Sequence, residues 1–128
     1  SIGSDEVIDY RNQRFEEIVS NLDVVLDTIG GDTFEKSWKV LKPGGFLVST
    51  VASIPEGMPQ KYGVRAKTLM TQADGRELAQ IAAIIDEQKI KPIVTTVLPL
   101  ADAKKAHEMS ESRHTRGKIV LRVAEDPR

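Results

Sequence analysis

Residues 22–51 constrain the fold more than any other part of the chain. Residues 24–26 are an unbroken apolar run, typical of a strand covered on both faces, and residues 46–48 form a second one. Between them, Phe34, Trp38 and Leu41 recur at helical spacing and predict a helix with one buried face. A crossover of this length predicts a parallel strand pair with a right-handed connection. The stretch therefore reads as one complete β-α-β unit.

Local signals set the ends of the predicted helix. Asp32 and Glu35 have the spacing of a capping box, so we expect Asp32 to be the N-cap. Pro43, Gly44 and Gly45 are expected to end the helix before the second strand begins.

Ligands of open parallel sheets bind beyond the carboxyl ends of the strands. Residues 28–31 and 49–53 follow the two predicted strands, so both segments are expected to face a ligand. Gly30 and Gly31 have two interpretations that the sequence leaves open. They serve either the geometry of the turn or a close approach of the backbone to the ligand.

The rest of the chain continues the alternation of strands and helices. We predict a short strand at Val7 and Ile8, an amphipathic helix over 15–22, a surface loop over 54–63, an edge strand over 64–71, a helix over 74–89, a strand over 93–98, a helix over 101–112 and a strand over 118–123. This order predicts an α/β protein. One domain is expected over residues 1–123, followed by a frayed tail at 124–128.

Composition narrows the functional class. The chain has 128 residues, a net charge of −1 and no cysteine. The near-neutral charge gives no signal for binding nucleic acid, and no apolar run reaches the roughly 18 residues of a membrane span. Without cysteine, disulfides and thiolate chemistry are excluded, and the composition fits a cytoplasmic location.

Few side chains indicate catalysis. We predict neither a metal site nor a catalytic acid or base, because His107 and His114 are the only imidazoles and have no cluster of carboxylates around them. His107 is interpreted as a helix-surface histidine, with proton transfer as the alternative. Arg113, Arg116 and Lys118 are either a solvated positive helix end or contacts to a phosphate.

Four motifs together resemble a known family. DEVIDY, DVVLDTIGG, LKPGG and ESRHTRGKIVL, in this order, resemble the C-terminal half of medium-chain dehydrogenases/reductases of the zinc-free, quinone oxidoreductase-like subgroup. The resemblance covers essentially the whole chain. LKPGG by itself is a weak signal because methyltransferases also use it.

The resemblance implies a nicotinamide-binding Rossmann domain that prefers NADPH. It places Tyr10 and Arg113 near the adenosine 2′-phosphate, residues 28–30 along the cofactor cleft and residues 50–52 near the nicotinamide. The cofactor contacts that it implies are Tyr10, Thr28, Ile29, Gly30, Thr50, Val51, Ala52 and Arg113.

Two parts of the family pattern have no counterpart in the sequence, namely the GroES-like catalytic domain and the first β-α-β unit with its glycine fingerprint. In the strand order 3-2-1-4-5-6, strands 1 and 2 would lie between the predicted strand at Val7 and the strand at 24–26. We therefore expect a partial Rossmann domain, doubly wound with a mainly parallel sheet, from an NADPH-dependent reductase of small quinones or enones.

The isolated chain is expected to be inactive, to bind NADPH weakly or not at all, and to form a homo-oligomer through unpaired strand edges. Two other functions stay open at this point. One is an S-adenosylmethionine-dependent methyltransferase-like domain, and the other is a non-catalytic interaction module that uses the exposed sheet edge.

Overall fold

The computed structural model describes residues 3–112 and 114–124. Its elements are α1 (Phe15–Ile18), β1 (Leu22–Asp27), α2 (Gly31–Ser37), β2 (Leu41–Ser49), α3 (Met58–Tyr62), β3 (Arg65–Thr68), α4 (Gly75–Asp86), β4 (Val94–Pro99), a 3-10 turn (Leu100–Asp102), α5 (Ala103–Glu111) and β5 (Lys118–Arg122). Contacts divide the chain into a first unit, residues 1–72, and a second unit, residues 73–128. The predicted single domain over 1–123 stays a prediction.

A parallel sheet organises the first unit. β2 lies in the centre, with β1 and β3 at its edges, and both pairings are parallel. Val25, Leu47 and Ala66 are neighbours across the three strands. The predicted β-α-β unit and the edge position of β3 are confirmed.

The core of the first unit lies on one face of this sheet. Trp38 packs edge-to-face against Phe34, with ring centroids 5.4 Å apart, and stacks on Tyr62 at 6.0 Å. On the opposite face, Val24 and Leu26 remain 59% and 62% exposed. The prediction that β1 is covered on both faces is therefore wrong for the described residues. Successive side chains of a strand point to opposite faces, and α2 packs on only one of them.

The predicted ends of the helix are wrong. α2 begins at Gly31, with Gly30 as its N-cap, and no side chain caps it. It ends at Ser37, well before Pro43, and the proline and its two glycines lie within β2. The helix stops early because the backbone turns after Ser37 and then pairs with β1, where Leu22 N donates a hydrogen bond to Val40 O at 2.9 Å.

Two other segments of the first unit also differ from the sequence prediction. The predicted strand at Val7 and Ile8 is irregular backbone, and Val7 is 80% exposed. Two apolar residues do not form a strand unless a neighbour supplies hydrogen bonds, and the described residues supply none there. The helix predicted over 15–22 is only one turn, and the predicted loop over 54–63 contains α3.

The second unit contains a parallel pair, β4 and β5, with α4 and α5. Asp74 caps α4 as predicted, since its side chain accepts a hydrogen bond from Arg76 N at 2.8 Å. The predicted inward residue Ala106 of α5 is buried, whereas Leu78 on the apolar stripe of α4 is 66% exposed. Among the described residues, no helix is both long and apolar enough to cross a membrane. The predicted frayed tail falls almost entirely on residues 125–128, outside the described part.

Candidate functional site

The carboxyl ends of β1 and β2 are joined by two buried polar residues. Asp27 and Ser49 are the last register partners of the two strands. Their exposed fractions are only 3% and 0%. The Ser49 hydroxyl donates a hydrogen bond to Asp27 Oδ2 at 2.7 Å. We call these residues the Asp27–Ser49 pair.

Asp27 holds the loop that follows β1, residues 28–30. Its Oδ1 accepts the backbone N–H of Ile29 at 3.1 Å and that of Gly30 at 2.9 Å. A carboxylate oxygen with two acceptor sites can take both bonds at once, so loop 28–30 is tied to the end of its own strand.

Ser49 holds the loop that follows β2, residues 50–52, in the same manner. Its Oγ accepts the backbone N–H of Val51 at 3.2 Å and that of Ala52 at 2.9 Å. Thr50 N–H reaches across to Asp27 O at 3.0 Å. Loop 50–52 is therefore attached to both strands.

The two loops touch each other. Gly30 has a φ of 79°, a conformation that side chains with a Cβ rarely adopt. A Cβ added there would lie 3.3 Å from Val51 Cγ2. Glycine at position 30 thus serves both the turn into α2 and the close approach of loop 50–52.

The environment of Asp27 favours its ionised form. Burial raises the pKa of this carboxyl, but hydrogen bonds from Gly30 N–H, the Ser49 hydroxyl and Ile29 N–H outweigh that effect and hold the pKa below its usual value. Asp27 is therefore a carboxylate at neutral pH and acts here as an acceptor of hydrogen bonds.

The two loops offer a ligand apolar side chains rather than these backbone N–H groups. The N–H groups of Ile29, Gly30, Thr50, Val51 and Ala52 are all engaged within the protein. Anion sites made of backbone use free N–H groups, so these five cannot hold a phosphate. The side chains of Ile29 and Val51, which are 75% and 57% exposed, instead give the rim an apolar surface.

The remaining predicted site residues lie elsewhere. Tyr10 is 74% exposed in the segment before α1, with the Arg11 guanidinium 6.0 Å from its ring centroid. None of the hydrogen bonds within the described residues joins Tyr10 to either loop. Arg113 falls outside the described residues.

The histidines do not assemble a catalytic cluster in the described part of the chain. His107 lines an open groove of about 440 Å³ between α5 and β5. His114 Nδ1 contacts the carbonyl oxygen of Ser112. Across residues 3–112 and 114–124, no group of three or more metal-ligating side chains comes together.

Sequence reasoning included Ser49 in a ligand-facing segment but overlooked Asp27. A signal was available, since an aspartate that closes an apolar strand and precedes Thr28, Ile29 and Gly30 is well placed to accept loop N–H groups. Its partner could be found only from the register of β1 against β2.

Comparison with known proteins gives consistent results. The family model described as zinc-binding dehydrogenase matches residues 2–121. NAD(P)H oxidoreductase RTN4IP1, mitochondrial, of Danio rerio is 28% identical over 98% of this chain and 39% of its own length. The chain thus spans about two fifths of that relative.

Solved structures agree with the sequence relatives. The quinone oxidoreductase of Coxiella burnetii superposes with a TM-score of 0.84 and 31% identity, over 95% of this chain and 40% of that one. The Escherichia coli quinone oxidoreductase complexed with NADPH gives a TM-score of 0.75 and 29% identity, over 91% of this chain and 42% of that one.

Proposed function

Because the chain belongs to the zinc-binding dehydrogenase family of the medium-chain dehydrogenase/reductase superfamily, we propose that it is part of the cofactor-binding region of a nicotinamide-dependent oxidoreductase. The predicted family and the Rossmann-type α/β fold are confirmed. Membership of a dehydrogenase family removes the support for a methyltransferase-like domain.

The observation that carries this proposal is the pair of loops at the carboxyl ends of β1 and β2. These loops lie where open parallel sheets bind ligands. Because their N–H groups are engaged, they suit the neutral nicotinamide and its ribose better than the pyrophosphate. Residues 28–30 and 50–52 would then orient the nicotinamide, with Ile29 and Val51 as its apolar neighbours.

The bound nicotinamide would supply the hydride, and the residues of this chain would supply orientation and exclusion of water. The family name also implies zinc, but the residues present do not fit that metal. The sequence has no cysteine, and the described residues contain no cluster of ligands. No step of the proposed function uses zinc.

For the finer assignment, we propose NADPH as the cofactor and small quinones or enones as substrates of the whole protein. The supporting observations are the quinone oxidoreductase neighbours, one of them complexed with NADPH. The expected cytoplasmic location stays a prediction, and a relative named as mitochondrial supports a mitochondrial location as the alternative. Association through unpaired strand edges stays a prediction as well.

A nuclear magnetic resonance titration of the chain with NADPH tests the cofactor assignment. We expect shifts of the amide signals of residues 28–30 and 50–52, with a dissociation constant on the order of 1 mM. The affinity is expected to be low because the glycine-rich loop that holds the pyrophosphate has no counterpart in this sequence. Shifts confined to other residues, or none at several millimolar NADPH, would contradict the proposal.

A second experiment concerns the choice between NADPH and NADH. We propose from the family resemblance that Arg113 contacts the 2′-phosphate, which only NADPH carries. In the full-length protein, Arg113→Ala should lower kcat/KM for NADPH about 10- to 100-fold, the value of a charge-assisted hydrogen bond, and leave NADH nearly unchanged. Arg76→Ala is the control, since that side chain is 95% exposed. Equal losses for both cofactors would assign Arg113 a different role.

A further inference from the structure

We propose that Asp27 and Ser49 are positioning residues that couple loop 28–30 to loop 50–52, so that disturbing either residue releases both loops. The part of this inference that concerns the cofactor rests on the proposed function. The coupling itself rests on the hydrogen bonds of the Asp27–Ser49 pair and can be tested without any ligand.

The central hydrogen bond has one possible direction, from Ser49 to Asp27. Ser49 Oγ accepts two N–H groups, from Val51 and Ala52. A hydroxyl oxygen has two lone pairs, so both are in use and the hydroxyl can only donate. Asp27 Oδ2, at 2.7 Å, is the acceptor that receives this hydrogen.

Asp27 must accept hydrogen bonds at both carboxylate oxygens. Oδ1 takes the N–H groups of Ile29 and Gly30, and Oδ2 takes the Ser49 hydroxyl. In the variant Asp27→Asn, the amide oxygen can serve only one side. If it keeps the loop N–H groups, its NH₂ group faces a hydroxyl oxygen that has no free lone pair.

Water cannot replace these buried hydrogen bonds at low cost. Asp27 and Ser49 are 3% and 0% exposed, so a lost partner leaves a buried polar group without a hydrogen bond. The carboxylate or hydroxyl must then move to find another partner. Any such movement displaces the loop that the same side chain holds, which is how a change at one loop reaches the other.

Hydrogen exchange of individual amides tests the coupling across loops. Asp27→Asn does not alter any atom bonded to the N–H of Val51 or Ala52, yet we expect both amides to exchange about tenfold faster or more, the effect of losing one buried hydrogen bond. Conversely, Ser49→Ala should accelerate the amides of Ile29 and Gly30. The amide of Leu47, in the interior of β2, should exchange only through global unfolding, so its acceleration measures the loss of overall stability, and the loop amides should accelerate by more.

Ser37→Ala provides the matched control. Ser37 is 2% exposed, and its hydroxyl donates to Thr33 O at 2.7 Å within α2. The variant therefore loses one buried hydroxyl, as Ser49→Ala does. It loses one hydrogen bond where Ser49→Ala loses three, and its hydroxyl bonds to neither loop. In Ser37→Ala, the amides of Ile29, Gly30, Val51 and Ala52 should exchange at the rates of the unsubstituted chain.

The outcomes are distinct. The proposal is overturned if each variant accelerates only the loop that it contacts, or if Ser37→Ala accelerates the loops equally. Where Ser49→Ala does not fold, Ser49→Thr keeps the hydroxyl and should restore slow exchange, while Asp27→Asn decides the coupling alone.

Titration of each variant with NADPH is a separate experiment that concerns the cofactor. Binding weakened by Ser49→Ala but not by Ser37→Ala supports the positioning role, whereas absence of binding to the unsubstituted chain counts against the proposed function alone.

Discussion

Replacing Trp38 by alanine is expected to lower the free energy of unfolding of the first unit by about 3–5 kcal/mol, the usual cost of removing a buried aromatic ring. Trp38 is 1% exposed and contacts the rings of Phe34 and Tyr62. The alanine variant would leave a cavity between α2, α3 and the sheet. Because the chain has one tryptophan, unfolding should be followed by circular dichroism in urea rather than by fluorescence.

Trp38→Phe is the informative control for this prediction. Nε1 of Trp38 is buried, and no hydrogen-bond partner for it exists among the described residues. The phenylalanine variant keeps an aromatic ring and removes this unpaired donor. We therefore expect its free energy of unfolding to fall by at most about 2 kcal/mol. Equal destabilisation of the two variants would contradict the prediction that an aromatic ring at position 38 supplies most of the packing energy.

The second large effect is expected in the second unit, from Gly117→Ala. Gly117 has a φ of 71°, and a Cβ there would lie 2.5 Å from Ile93 O. That oxygen already accepts the N–H of Lys118 at 2.8 Å, where β4 and β5 begin to pair. We expect the free energy of unfolding of the second unit to fall by about 2–4 kcal/mol. Alanine is strained in a left-handed backbone conformation, and its Cβ would displace a neighbouring backbone atom.

Gly75→Ala is the control for Gly117→Ala in the same unit. Gly75 is the first residue of α4, and an added Cβ meets no atom within 4 Å. Alanine favours the helix over glycine, so this variant should be neutral or slightly more stable. Thermal unfolding and amide exchange of β4 and β5 would compare the two variants. If Gly117→Ala lowered the stability no more than Gly75→Ala does, the predicted steric clash at Gly117 would be contradicted.

The strands of the first unit could be predicted because each carries its own signal. Residues 24–26 and 46–48 are continuous apolar runs, and their parallel pairing follows from the length of the connection. The ends of α2 could not be predicted in the same way. Proline and glycine at 43–45 signal the end of a helix locally, but the pairing of Leu22 with Leu41 places them in a strand. Tertiary pairing outweighed the local signal.

The position of the candidate site could be predicted from the sequence, but the hydrogen bonds that build it could not. The rule for parallel sheets placed residues 28–31 and 49–53 at one edge, and the structure brings Gly30 and Val51 together there. That a ligand binds at this edge stays a prediction. The Asp27–Ser49 pair depends on register, because Asp27 faces Ser49 only if Leu26 pairs with Val48. A slip of one residue between the strands would place Asp27 and Ser49 on opposite faces of the sheet, and the sequence alone does not fix the register.

The hydrogen bonds that close the two loops bear on the entropy of binding. Fixing the backbone of one residue costs about 1–2 kcal/mol of conformational free energy at room temperature. In loops 28–30 and 50–52 this loss is incurred during folding, because Asp27 and Ser49 order the backbone before any ligand arrives. A ligand that enters this end of the sheet meets a preorganised surface, and its contact energy is retained as affinity.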